Sequence, residues 1–212
     1  IVGIVVGTIT LTSVGLTLGN SILELAGNNL LLVAIFTMLI SIVLGMGVPP
    51  SASYIITAIV SAPLLVSMDI PILVAHMFAF YFAALSDITP PVALASMAAS
   101  GIANESFTKV SLTAVRLGLV GFIIPYFFLY NHSLLFIGED ILLILWSGFS
   151  ASIGVIALSS ALSSWLFTKT SIFQRLILLL ASFLLIYSGI VSDLVGIALF
   201  IIIVILQKRV TR

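Results

Sequence analysis

Apolar runs divide the chain, and short polar or proline-rich stretches rather than charged loops interrupt them. A helix needs about 20 apolar residues to cross the hydrocarbon of a bilayer. Residues 1–23, 110–130 and 141–167 meet that length. Residues 30–48 are apolar up to the stretch GMGVPPSASY at 45–54, and 54–67 resume for only part of a span. Two part-length segments about a turn predict a re-entrant helical hairpin. Residues 70–85 run into SDITPP at 86–91, and 92–103 continue the apolar run beyond it, which predicts one helix broken in its middle. A single helix over 176–206 would be roughly 46 Å long. The polar stretch SGIVSD at 188–193 predicts that it divides into two short helices instead.

Composition fixes the class. The chain is 62% hydrophobic and 7% charged, with a mean hydropathy of +1.41, against roughly 25% charged residues in an ordinary soluble domain. It reads as an all-α integral membrane protein. Seven Lys and Arg balance seven Asp and Glu, which leaves no basic field for nucleic acid. The absence of cysteine excludes disulfides, a thiol nucleophile and thiolate metal sites. The opening IVGIVVGTIT lacks a Met, a basic n-region and a cleavage site, so it reads as the start of a fragment rather than a signal peptide.

The basic residues give one topology. Lys109, Arg116, Lys169, Arg175, Lys208, Arg209 and Arg212 gather on the cytoplasmic side if 110–130 run outward, the acidic GED at 138–140 lies outside, and 141–167 return. The C-terminal basic cluster is then cytoplasmic, provided that 176–206 make an even number of passes. The organisation expected is a transmembrane helix and outer loop over 1–29, a re-entrant hairpin over 30–67, a discontinuous helix over 68–105, a scaffold helix over 106–137, and about three C-terminal helices over 138–212.

Within hydrocarbon an unpaired backbone group costs several kcal/mol, so a non-helical stretch survives there only where protein, water or an ion satisfies it. At the first break Gly45 and Gly47 permit unusual dihedrals, Pro49 and Pro50 end the incoming helix, and Ser51 or Ser53 can cap the outgoing one. At the second, Ser86, Asp87 and Thr89 supply oxygens, while Pro90 and Pro91 free carbonyls one turn earlier. Hydroxyls, a carboxylate and unwound carbonyls beside helix termini suit a hard cation such as sodium, and the helix N-termini suit an anionic substrate group. The candidate residues at the two breaks are therefore Gly45, Gly47, Pro49, Ser51, Ser53, Ser86, Asp87, Thr89 and Pro90. Paired Pro-Pro kinks satisfied by their own neighbours are the bland alternative.

Asp87 is the one acid that the pattern places inside the membrane. His76 reads as a buried, hydrogen-bonded histidine, and Lys109 and Arg116 as snorkelling residues. Glu24, Asp69, Glu139 and Asp140 read as solvated outer residues, and Asp193 as part of a polar turn. FAFYF at 78–82 reads as helix packing, and Trp146 and Trp165 as interfacial anchors.

At LGMGVPPSASYIITAIVSAPLLV (44–66), AHMFAFYFAALSDITPPVALASMAASGIA (75–103) and TAVRLGLVGFIIPYFFLYN (113–131) the chain resembles the large membrane subunit of TRAP transporters, specifically the fused TAXI type. The resemblance covers residues 1 to about 137 and is weaker beyond. It implies sodium-coupled import of small organic acids, delivered by a periplasmic substrate-binding protein across a prokaryotic inner membrane. It also implies an elevator fold with inverted repeats, of which this chain would hold the second hairpin and second broken helix, the N-terminal half of the permease supplying the rest. By the same resemblance the sodium and substrate contacts fall on Gly47, Ser51, Ser53, Ser86, Asp87 and Thr89, with Ser51, Ser86, Asp87 and Thr89 as sodium ligands; no cofactor and no enzymatic activity are implied, sodium being the coupling ion. Pro50 and Ser51 stand where the resemblance leads one to expect two threonines, and Ala93 where other branches often carry Gly. The alternatives are a binding-protein-independent ion-coupled carboxylate carrier and a structural membrane module. An intramembrane aspartyl protease would need a second facing aspartate.

Overall fold

A computed structural model describes residues 2–27, 29–137, 140–187 and 189–210. Among them all extended regular structure is helical and no strand occurs. The helices are α1 (Val2–Thr12), α2 (Val14–Ala26), α3 (Leu30–Gly45), α4 (Pro50–Val66), α5 (Ile72–Leu85), α6 (Leu94–Ala103), α7 (Phe107–Tyr130), α8 (Ile141–Ser163), α9 (Ile172–Tyr187) and α10 (Ile190–Val210). The expected all-α membrane class is what the chain adopts. By length and composition Phe107–Tyr130, Ile141–Ser163 and Val191–Lys208 can each cross a bilayer. The chain forms two compact units, Ile1–Tyr126 and Phe127–Arg212.

In the first unit α3 and α4 form a helical hairpin, with a buried Ser41 to Ser61 hydroxyl bond of 2.9 Å tying the two arms together. Helix α5 packs on both arms. Its buried Phe78 and Phe82 meet edge to face at 4.8 Å, and each meets the ring of Tyr126 from α7. The Tyr126 hydroxyl in turn lies 3.1 Å from Met38 Sδ on α3. The aromatic run at 78–82 is thus a packing element, as its apolar character suggests.

The first expected span is not one straight helix. α1 and α2 meet at Ser13, whose φ of 55° lies in the left-handed region, and the pair is bent by 65°. The cause is local. Thr8, Thr10, Thr12 and Thr17 each turn their hydroxyl back onto the carbonyl four residues earlier, and such back-bonding competes with the helical ladder and bends it. Both α1 and α2 pack against α4.

In the second unit α8, α9 and α10 pack around Ala157, Ala161, Leu178 and Ile203. α8 stops at Ser163, four residues short of the expected end, because Ser164 turns left-handed at φ 61° and closes the helix on the Ser160 carbonyl. α9 then starts earlier than expected. Ser171 Oγ accepts from Gln174 N at 3.3 Å while Gln174 Oε1 accepts from Ser171 N at 3.1 Å, a reciprocal cap that defines a helix start. The expected division of 176–206 is present, but α10, at 21 residues, is not a short helix. Ser188 in that division, and Gly138 and Glu139 of the acidic loop, lie outside the described residues.

Asp193 departs most from its expected place. It lies in the first turn of α10, fully buried, and not in a polar turn between helices. Its Oδ2 accepts from Trp146 Nε1 at 2.8 Å. Ser150 Oγ sits 2.8 Å from both Asp193 Oδ1 and the Leu185 carbonyl, sharing its single proton between them. Trp146 is therefore a partner of Asp193, and Asp87 is not the only acid within the apolar helices.

The surface ion pair of Lys109 with Glu105, 2.5 Å apart, joins residues that are 66% and 46% exposed. Exposed i,i+4 pairs contribute about 0.3–0.5 kcal/mol. Lys109→Ala is accordingly expected to leave the thermal unfolding midpoint within about 1–2 °C of the parent.

Candidate functional site

Two interruptions meet in the first unit. The first is the turn between α3 and α4. There Met46 is extended, Gly47 has φ 77° in the left-handed region, and Pro49 leads into Pro50 at the first position of α4. A proline at that position fits because the first helical N–H has no intrahelical acceptor. The second interruption follows α5. A 3-10 turn over Ser86–Ile88 leads to a non-helical stretch at 89–93 with a cis peptide between Pro90 and Pro91, and α6 begins after Ala93 at φ 41°.

The turn and the break are in contact through Gly45 and Ala83. Ser53 Oγ from α4 donates to the Ala83 carbonyl at 3.2 Å, and Ser86 Oγ donates to the same oxygen at 2.6 Å. Gly45, Ser53 and Ser86 are all buried. A methyl group on Gly45 would press on Ser53 Oγ and lie 2.6 Å from Ser86 Oγ, so only glycine admits both hydroxyls there. On the other side a side chain at Gly47 would meet Val92 Cγ1 at 3.3 Å. The hairpin turn thus lies against the break at both its edges.

Asp87 adds the one carboxylate. Its Oδ1 is buried and has no hydrogen-bond partner among the described residues, whereas buried polar atoms are as a rule paired. An orphaned carboxylate oxygen among apolar helices is a place for a cation or a donor that arrives from outside the chain. Among the described residues no three His, Cys, Asp or Glu side chains converge as a metal site. A cation held here would rely on hydroxyl and carbonyl oxygens with a single carboxylate, a donor set for a hard ion rather than a transition metal.

The other expected residues are placed differently. Thr89 is half-buried, its hydroxyl committed to the Leu85 carbonyl at 2.8 Å, and Pro90 is half-buried beside it. Ser51 and Pro49 are exposed at the start of α4. The residue that the side-chain pattern does not mark is Ala83 itself, whose contribution is a backbone oxygen. Its signal is positional, since the last four carbonyls of a helix lack intrahelical donors and Ala83 lies within that last turn of α5. Ser96, on α6, reaches back to the Ile88 carbonyl at a long 3.5 Å. His76 pairs through Nδ1 with the Tyr54 hydroxyl at 3.0 Å, outside this group. Arg116 is exposed on α7.

Residues 1–139 match the family described as Tripartite ATP-independent periplasmic transporter, DctM component. The chain belongs to this family. No curated protein and no solved structure matches it. The DctM match takes in both interruptions and every candidate residue, and it ends before α8. The protein is therefore a membrane component of a tripartite, TRAP-type secondary transporter, a class whose DctM component works with a periplasmic binding protein and a small membrane component. The three helices α8, α9 and α10 lie beyond the matched region.

Proposed function

We propose that this DctM component carries part of a sodium-coupled site for small organic acids, handed over by a periplasmic binding protein at a prokaryotic inner membrane. In this reading α3 and α4 are a re-entrant hairpin, α5 and α6 one discontinuous helix, and the two together form the second of two inverted repeats. The repeat moves as an elevator against the rest of the permease, with the C-terminus cytoplasmic. One observation carries the reading. The hairpin turn and the helix break converge on a single carbonyl through Gly45, Ser53 and Ser86, beside a carboxylate with an unpartnered buried oxygen.

Asp87 supplies the negative charge that favours a cation over water there. The hydroxyls of Ser51, Ser86 and Thr89, with carbonyls freed at the break, supply neutral oxygens that replace its hydration. The N-terminal ends of α4 and α6, each preceded by an interruption, offer backbone N–H groups to a substrate carboxylate.

The test is thermal unfolding of the complete detergent-solubilised permease in sodium and in potassium at equal ionic strength. Sodium at about 100 times its dissociation constant should stabilise the folded state by roughly 2.7 kcal/mol. Asp87→Asn should remove that response without lowering the midpoint in potassium, and Ser51→Ala should weaken it. Equal midpoints in the two cations for the parent would reduce the breaks to structural kinks. Uptake that needs no periplasmic binding protein would instead favour a binding-protein-independent carrier.

A further inference from the structure

The second unit has a strong charge asymmetry that the transport reading does not use. Its described acids, Asp140 and Asp193, occur where α8 and α10 begin. Its bases, Lys169, Arg175, Lys208, Arg209 and Arg212, all follow the end of α8 in the sequence. Because α8 and α10 end where α9 begins, Lys169, Arg175 and Lys208 share one end of the three-helix unit.

That end is built rather than frayed. The buried Gln207 of α10 accepts at Oε1 from Phe167 N at 3.1 Å and from Thr168 N at 3.4 Å, and its Nε2 donates to Gln174 Oε1 at 3.2 Å. The turn at 164–171 is thereby fastened to α10 and α9 together. Arg175 donates from Nε to the Ala161 carbonyl at 2.9 Å, which fixes the plane of its guanidinium and leaves both terminal amino groups for an outside acceptor. Lys208 Nζ stands 5.5 Å above the Phe167 ring, a cation–π contact that places its ammonium over the turn. Lys169 is exposed at the same turn.

Exposed aromatic and aliphatic side chains surround these cations. Trp165 is 54% exposed, Phe173 72% and Ile172 77%. Cations set among exposed aromatic rings match the boundary between phosphate headgroups and acyl chains, where amphipathic rings collect and basic side chains reach the phosphates. An acidic soluble partner would neutralise the bases and leave the rings in water, so the combination favours lipid.

We propose that the turn between α8 and α9, together with the C-terminal end of α10, binds the phosphate headgroups of anionic phospholipids, with Lys169, Arg175 and Lys208 as the phosphate contacts. Trp165 and Phe173 seat against the first acyl carbons of the same lipids. The site holds the end of the second unit at the headgroup layer, and it stands whether or not sodium binds in the first.

The experiment is thermal unfolding of the complete permease in neutral detergent with added phosphatidylglycerol, with phosphatidylcholine of the same acyl chains, or with inorganic phosphate. Phosphatidylglycerol is expected to raise the midpoint by about 5 °C more than phosphatidylcholine, and the difference should shrink as salt rises from low to molar concentration. The Lys169→Gln/Arg175→Gln/Lys208→Gln variant should respond equally to both lipids. Should that variant fail to fold, Lys169→Gln and Lys208→Gln singly, both at exposed side chains, should each lose part of the difference. Equal responses of the parent to the two lipids overturn the proposal, as does an undiminished phosphatidylglycerol response in the variants. Stabilisation by inorganic phosphate alone to the same extent would assign the bases to a free anion and overturn the lipid assignment.

Discussion

Replacing Gly45 by alanine is expected to destabilise the first unit by about 1–3 kcal/mol, the usual cost of forcing a methyl group into a filled interior, and to suppress uptake by the assembled transporter. The new carbon would press on Ser53 Oγ and Ser86 Oγ, two buried hydroxyls held by the same Ala83 carbonyl. Neither can swing aside without giving up that bond. The hairpin turn or the break would have to retreat. Trimming both neighbours in a Gly45→Ala/Ser53→Ala/Ser86→Ala variant makes room for the methyl group. The destabilisation attributable to Gly45→Ala should therefore be smaller in that background, a coupling that a mutant cycle reads directly. Uptake should not recover, because the hydroxyls are gone. Unfolding midpoints and uptake for the members of the cycle check both statements. If Gly45→Ala unfolds like the parent, or costs as much in the trimmed background as alone, the turn and the break are not in the contact described.

The turn after Gly45 and the interruption at 86–93 are legible from residue order because glycine, proline and hydroxyl residues act locally. Pro50 starts α4 and Gly47 takes the left-handed turn for reasons that involve only their own backbone. What residue order does not carry is the tertiary choice among hydroxyls. Ser51 and Ser53 are equally good caps on paper, yet only Ser53 faces α5, since residues two apart point to different sides of a helix. Ala83 offers no side-chain signal for a role played by a carbonyl. The bend at Ser13 was in reach of the sequence. Four threonines and a serine within ten positions announce competition with the helical ladder, but the apolar count over 1–23 outweighs them in a span-length argument.

Asp87 and Asp193 show the same limit from another side. A span pattern separates Asp87 from Asp193 by context, placing one in a broken helix and the other in a polar turn, whereas both lie among packed helices. Partners distinguish them. Asp87 has a buried oxygen that nothing among the described residues satisfies. Asp193 has both oxygens engaged, by Trp146 from one side and Ser150 from the other. The first arrangement is open to a ligand, and the second ties α10 to α8.

Replacing Asp193 by alanine is accordingly expected to cost about 2–3 kcal/mol. The Trp146 N–H loses its acceptor and Ser150 loses one of two, in an interior where an unpaired polar group costs about 1–3 kcal/mol. The unfolding midpoint should fall, with no change in any sodium-dependent shift. Asparagine makes the sharper comparison. Ser150 has one proton for two acceptors, Leu185 O and Asp193 Oδ1, both at 2.8 Å. In Asp193→Asn the amide oxygen accepts from Trp146 and the amide nitrogen donates to Ser150 Oγ, which frees the serine proton for Leu185 alone. The Trp146 and Ser150 bonds are then kept while one amide N–H gains no named acceptor, so the variant should lose less stability than Asp193→Ala. The same exchange at Asp87 should spare stability in potassium and abolish the sodium response. One substitution at two buried acids thus separates a structural clamp from a ligand site. A large loss of stability in Asp193→Asn would show that the cluster needs the carboxylate itself and not merely its hydrogen bonds.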